Sequence, residues 1–232
     1  MNKHSSTLLA LLWLTSVHLA SGQPVPIDQV PMYGGMDRNA VPELKTADER
    51  LISDTTKHYG SRRKASAAFI GNGFAYYQRD DLENAMRRFN QAWLLDPENP
   101  EAYWGFASVL MDRGKHCDAM GMIDKALSLK PPTYQGFYPD AGRIVTLCAA
   151  SDKALSAEAR TQLFARSDAL YREAENAEPN KAYLYSSWAT AYYWRGQYAE
   201  AWSMVKKSQA LGGHLPEKFM SMLRAQMAEP TQ

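Results

Sequence analysis

A spacing of 34 residues recurs along this chain and limits what it can fold into. Steps from Gly73 reach Ala85, Phe89, Ala92 and Pro97, and the same steps from Ala107 reach Ala119, Ile123, Ala126 and Pro131. A third set, Ala189, Ala201, Val205, Ser208 and Gly213, keeps the spacing, and a fourth keeps only its second half in Ser167, Tyr171, Ala174 and Pro179. The last members stand at 97, 131, 179 and 213, so the intervals are 34, 48 and 34, and one unit carries 14 additional residues. A unit of this length cannot bury its apolar face alone. Its neighbours must stack on it, which makes the fold a solenoid.

The residue types explain how the units would stack. Small residues at Gly73, Ala107 and Ala189 on one helix, and at Ala85, Ala119 and Ala201 on the next, let two backbones approach closely. The steps of 4 and 3 from Ala85 through Phe89 to Ala92 keep these side chains on one helical face. Asp96-Pro97-Glu98-Asn99-Pro100 ends one helix and opens another, with Asn99 as N-cap and Pro100 at the first helical position, and Glu178-Pro179-Asn180 has the same chemistry. Arg79-Asp80-Asp81, Arg113-Gly114-Lys115 and Arg195-Gly196-Gln197 are the short connections inside each pair.

These residues resemble the tetratricopeptide repeat family. Residues 66–99 carry Phe69, Gly73, Tyr76, Ala85, Phe89, Ala92 and Pro97 in its slots. Residues 100–133 carry Tyr103, Ala107, Leu110, Ala119, Ile123, Ala126 and Pro131, and 182–215 carry Tyr185, Trp188, Ala189, Tyr192, Gly196, Tyr198 and Ala201. The stretch 134–181 is irregular, because its close-packing pair, Gly142 and Ser167, is 25 apart where the others are 12. The resemblance covers roughly 61–215 and implies an all-α solenoid of antiparallel helix pairs, wound as a right-handed superhelix, in a repeat domain that with its last helix spans 61–232. Terminal helices at 42–60 and 216–228 would cap it.

The resemblance further implies that the first helix of each pair lines a concave groove that binds a protein or extended peptide. Carried onto this chain, the groove positions are Ile70, Phe74, Tyr77 and Gln78, then Trp104, Ser108, Met111 and Asp112, then Arg143 and Thr146, then Ser186, Thr190, Tyr193 and Trp194. Trp104 and Trp194 would be exposed anchors, and Trp188, in a packing slot, would belong to the core. Some of these rings could instead pack against the segment that precedes the repeats. The Lys, Asn and Arg clamp with which some relatives hold chaperone C-termini is not carried over, since Ile70 and Phe74 fill the first clamp slots.

Lys3 and His4 precede an apolar run from Leu8 to Ala20 that ends in Ala20-Ser21-Gly22, the pattern of a cleaved signal peptide over residues 1–22. The run is short for a membrane span. The chain carries 26 Lys and Arg against 25 Asp and Glu, and removing 1–22 takes away Lys3 alone, leaving 25 against 25. Neutrality of this kind offers no electrostatic grip on nucleic acid. An exported chain with two Cys invites a bond between Cys117 and Cys148, which the helical register places at one edge of the solenoid.

Between 23 and 42, Pro24, Pro26, Pro31, Gly34, Gly35 and Pro42 exclude a regular helix and predict an extended arm, either a strap along the solenoid or a displaceable mimic of its ligand. The helix that follows would cap the first repeat through Leu44, Ala47, Leu51 and Thr55, and the last helix would use Phe219, Leu223 and Met227.

Catalytic motifs are sparse. Ser61 to Lys64 and Ser203 to Lys206 each fit SxxK without companion motifs, and Ser61 reads as an N-cap. His58, His116 and His214 fall in turns, so no metal or other cofactor is expected. The leading reading is a non-catalytic binding scaffold. A carbohydrate-binding module would also use Trp and Tyr faces, and an enzyme built from scattered groove residues would depend on Asp112 or Arg143.

Overall fold

The computed structural model describes residues 25–131 and 136–231, and among these there are ten α-helices and no strand. The expected signal segment at 1–22 lies outside the described residues. After α1 (Pro42–Tyr59) come four helix pairs: α2 (Arg62–Tyr77) with α3 (Leu82–Leu95), α4 (Pro100–Asp112) with α5 (His116–Ser128), α6 (Phe137–Ser151) with α7 (Ala157–Ala177), and α8 (Lys181–Trp194) with α9 (Tyr198–Ala210). Helix α10 (Glu217–Gln226) packs on α9. The first helices touch one another in series, α2 with α4, α4 with α6 and α6 with α8, while each second helix leans on the first helix of the next pair. The layer of first helices is therefore the more closely spaced inner one.

Local chemistry sets the boundaries. Ser61, Asp81, Asn99, Ser156 and Asn180 each accept a backbone N–H of the first turn they cap. Inside the pairs the chain reverses through left-handed residues, Asp80 at φ 61°, Gly114 at 74° and Gly196 at 75°. Arg62 donates to the carbonyls of Leu94 and Leu95, closing the end of α3 from the neighbouring helix.

Packing follows one device, a ring on a second helix seated against small residues on first helices. Phe89 is fully buried, and a Cβ added at Gly73 or at Gly105 would run into its ring. One side chain thus spans α2 and α4 and locks consecutive repeats. The irregular unit repeats the device with Tyr171, whose ring occupies the space a Cβ on Gly142 would need. Gly142 and Ser167 do meet, since the Ser167 hydroxyl donates to the Gly142 carbonyl at 2.7 Å. Much of the extra length lies in α7, which runs for 21 residues. Cys117 at the start of α5 and Cys148 near the end of α6 are bonded, joining two consecutive units.

The segment before α1 departs from the extended arm expected of it. It winds through three 3-10 turns, Ile27–Gln29, Pro31–Gly35 and Arg38–Ala40, and Met32, Tyr33 and Gly34 all take left-handed angles with φ of 52°, 51° and 65°. Two non-glycine residues in that region carry strain, which the surroundings offset. Tyr33 is buried beside Trp93, and its phenol is pushed up to about 12, chiefly by burial. Asn90 on α3, itself fully buried, donates to the carbonyls of Asp28 and Val30 and accepts from the N–H of Tyr33. Arg113 donates to the carbonyl and side chain of Gln29. The segment is a strap on the outer helix α3, and among the described residues its one aromatic pair is with Trp93 of that helix rather than with a ring of the inner layer.

Both caps use slightly different faces from those expected. In α1, Ala47 is exposed and Asp48 takes its place, paired with Arg38. In α10, Met220 and Leu223 are buried while Met227 lies beyond the helix at 37% exposure. The α10 residues bury their apolar side against the final pair, where Trp202 donates to the Met227 carbonyl.

Candidate binding groove

Two hollows lie along the inner layer. The first, of about 680 Å³, is walled by α2 and α4 and closed by Asp140 and Tyr183. Ile70, Phe74, Tyr77, Gln78, Trp104 and Ser108 of the expected groove line it. The second, of about 700 Å³, takes in Met111, Asp112, Arg143 and Trp194, joined by His116, Leu147 and Lys218. The two meet at an ion pair: Arg143 donates to Asp140 at 2.8 Å, one residue facing each hollow. Thr190 and Tyr193 line neither. Thr190 returns its hydroxyl to the Ser186 carbonyl, and Tyr193 packs on Trp194, Tyr198 and the cap residue Phe219. Thr146 is buried with its hydroxyl against Ser167, and Ser186 bonds Ser208.

Asp140 is the centre of a polar cluster. One carboxylate oxygen accepts from Arg143 and from the Tyr183 hydroxyl, and the other accepts from the Trp104 indole N–H at 3.0 Å. Burial raises the Tyr183 phenol well above its ordinary range, and the adjacent carboxylate adds to the effect. Burial and the neighbouring Asp112 carboxylate likewise raise Tyr77. For Arg143 burial acts downward, and the Asp140 carboxylate with the surrounding phenols overcomes it, so the guanidinium stays charged.

The two tryptophans read from the sequence as anchors are unlike each other. Trp104 is only 5% exposed, packed against Phe74 and Phe137 and hydrogen-bonded to Asp140, so it is part of the wall's framework. Trp194 is 48% exposed and free to meet a partner. Trp188 is in the core as its slot implied, stacked between Tyr171 and Tyr192. Ile70 and Ser108 also reach the hollow only by an edge, at 4% and 3% exposure.

Sequence projection missed Ala67, Gly71, Glu101, Asp140 and Tyr183 in the first hollow, and His116, Leu147, Ala150, Ser151 and Lys218 in the second. It began one helical turn too late: Glu101 precedes Trp104 by three residues and Asp140 precedes Arg143 by three, which keeps each on the same face. Ala67 and Glu101 are themselves 34 apart, as the repeat would have them. Lys218 comes from α10 and has no repeat register to betray it.

Among the described residues no cluster of His, Cys, Asp or Glu could hold a metal ion, and no helix is long and apolar enough to cross a membrane. No curated protein matches the chain. A family model of the TPR repeat matches residues 73–114, which run from the second half of α2 through α3 and α4 into the next turn. The match takes in Gly73, Phe89 and Gly105, the residues at which the first two repeats are locked. The 34-residue register and the paired helices continue on both sides of this match, and the chain folds as a TPR-type helical solenoid.

Proposed function

We propose that this protein is an exported, non-catalytic scaffold that holds a protein or an extended peptide along its inner helix layer. Repeats of this family point to a protein-binding role. The observation that carries the finer reading is the continuity of the two hollows, which adjoin through Asp140 and Arg143 and end at the exposed ring of Trp194. A long recess with a few fixed polar groups suits an extended chain better than a compact ligand. The strap leaves that recess open, because it is engaged on α3. Export is supported by the apolar run from Leu8 to Ala20 and by the Cys117–Cys148 bond, which persists in oxidising compartments. Cleavage after Gly22 would then leave Gln23 at the mature N-terminus, which sequencing of the exported chain reads directly.

The binding test is capture by the immobilised chain of proteins from the exported compartment, compared with capture by Trp194→Ala. An exposed aromatic anchor is worth about 1 to 3 kcal/mol, so the variant should lose most of the captured partner while melting normally. Equal capture by both forms, with Gly71→Leu also without effect, would move the binding surface off this face.

A further inference from the structure

The two hollows differ in charge. Glu101 and Asp140 line the first, together with Phe74, Tyr77, Trp104 and Tyr183, and among the described residues no Lys, Arg or His does. The second holds Asp112 with Arg143, Lys218 and His116.

The two carboxylates of the first hollow are also in opposite situations. Asp140 is saturated by three donors, from Trp104, Arg143 and Tyr183. Glu101 is half-buried, and among the described residues nothing donates to its carboxylate and no cation pairs with it, although Asn99 accepts from its backbone N–H. Arg63 and Lys130 line an adjoining hollow that Glu101 also borders, but that hollow contains Asp96 and Glu98 as well, and among the described residues neither cation forms an ion pair with Glu101. Burial alone pushes the Glu101 carboxyl above the usual carboxylate range. A desolvated carboxylate without a counter-charge, beside aromatic faces, complements a cation through Coulomb attraction and through the ring quadrupoles. The wall opposite is low: Ala67 and Gly71 face the hollow, and a Cβ added at Gly71 would meet nothing within 4 Å.

We infer that the first hollow receives a lysine or arginine side chain projecting from the bound segment, with Glu101 as its counter-charge and the rings of Phe74, Tyr77 and Tyr183 along its stem. The inference rests on the scaffold reading above and specifies the chemistry of its partner. About 680 Å³ is ample for one such side chain with an apolar neighbour.

The test selects random dodecapeptides displayed on phage against the full chain in three forms: unaltered, Gly71→Leu and Glu101→Gln. Gly71→Leu fills the hollow from an unobstructed helical position, where replacing Gly also favours the helix, and circular dichroism confirms that both variants fold. The expected result is enrichment, on the unaltered chain, of peptides with Lys or Arg next to an apolar residue. A selected peptide should bind at least tenfold more weakly to each variant, and acetylating its lysine, or replacing its arginine by citrulline, should cause a similar loss. Enriched peptides without a basic residue, or affinities unchanged in both variants, would overturn the inference and leave the scaffold reading standing. If no peptide is selected, the scaffold reading falls and the inference with it. Chitohexaose is the second probe, and binding of this sugar that Gly71→Leu abolishes, without any basic peptide enriched, would assign the hollow to carbohydrate instead.

Discussion

The first two repeats and the irregular third solve the same packing problem with different chemistry. In the first two, Phe89 seats between Gly73 and Gly105, and one continuous apolar cluster runs from Ala65 to Ile144. A second cluster begins at Tyr171 and ends at Leu223. Between them the joint is polar. Tyr171 fills the Phe89 role against Gly142 but donates its hydroxyl to the Ser187 carbonyl. Arg195, with only 2% of its side chain exposed, binds Asp168, Thr146 and Ser167 and lies over the rings of Phe164 and Tyr192. Glu178 accepts from the Gly136 N–H and from the Asn180 N–H. Where the helix register is regular, apolar shape complementarity is the main contact between neighbours, with a few bonds such as that from Trp93 to the Tyr103 hydroxyl beside it. Where additional residues break the register, backbone groups and hydroxyls that the regular stack would have covered need partners, and directional bonds supply them.

This comparison is broken most easily at its apolar side. Phe89→Ala empties a fully buried site shared by two repeats and should cost about 3 to 5 kcal/mol in urea unfolding. A loss under 1 kcal/mol would mean that Phe89 does not lock the repeats. The covalent tie between the regular and irregular units comes next. Its cysteines are 31 residues apart, and loop-closure entropy gives roughly 3 to 4 kcal/mol for replacing both with Ser. Unfolding of the unaltered chain with and without reductant gives an independent reading, and no change in either experiment would show that the bond is idle.

The polar joint is probed by Arg195→Met, which keeps an apolar stem of similar length and removes the charge. Asp168 is partly open to water, at 28% side-chain exposure, so it rehydrates, and the expected cost is about 2 to 3 kcal/mol, below that of breaking a fully buried pair. The form of the transition is the sharper readout. If the joint couples the two apolar clusters, hydrogen exchange in α8 and α9 should accelerate more than in α2 to α5. A uniform acceleration would make the two halves one cooperative unit and erase the distinction drawn above.

The regular half was legible in the sequence because each of its determinants is local and periodic. Ser61, Asn99 and Asn180 cap helices that begin where turn chemistry put them. The small-residue slots recur at 34, and even the irregular unit disclosed its contact pair, Gly142 with Ser167, by the displaced spacing. The joint was hidden for the opposite reason. Asp140, Arg195 and Tyr183 come from different helices with no fixed interval, and nothing in a one-dimensional pattern brings them together. A strap was among the readings of the arm, but its seat could not be read, since Asn90 looks like a surface residue of α3 until three arm backbone groups are placed on it. Trp104 was misjudged as an exposed anchor because its helical face is right and its depth is not encoded by register.

The smallest predicted effect sets the two carboxylates of the first hollow against each other. Asp140 in the joint has three donors, whereas Glu101 in the regular half has none among the described residues. Burial raises the Glu101 carboxyl above its ordinary value of 4.5. The folded state therefore disfavours the ionised form, so this group's contribution to stability is most favourable when it is protonated and declines as pH rises through its folded value. Glu101→Gln removes that penalty. The variant should melt slightly higher than the unaltered chain at pH 7, and the difference should shrink toward zero as pH falls below 4.5, where Glu101 is protonated in both states. Asp140→Asn should behave in the opposite sense, lowering the melting temperature at pH 7 because it weakens the bonds from Arg143 and Tyr183. Should Glu101→Gln lower the melting temperature at pH 7 as Asp140→Asn does, Glu101 already has a favourable partner, and the first hollow has no charge left to offer a cation.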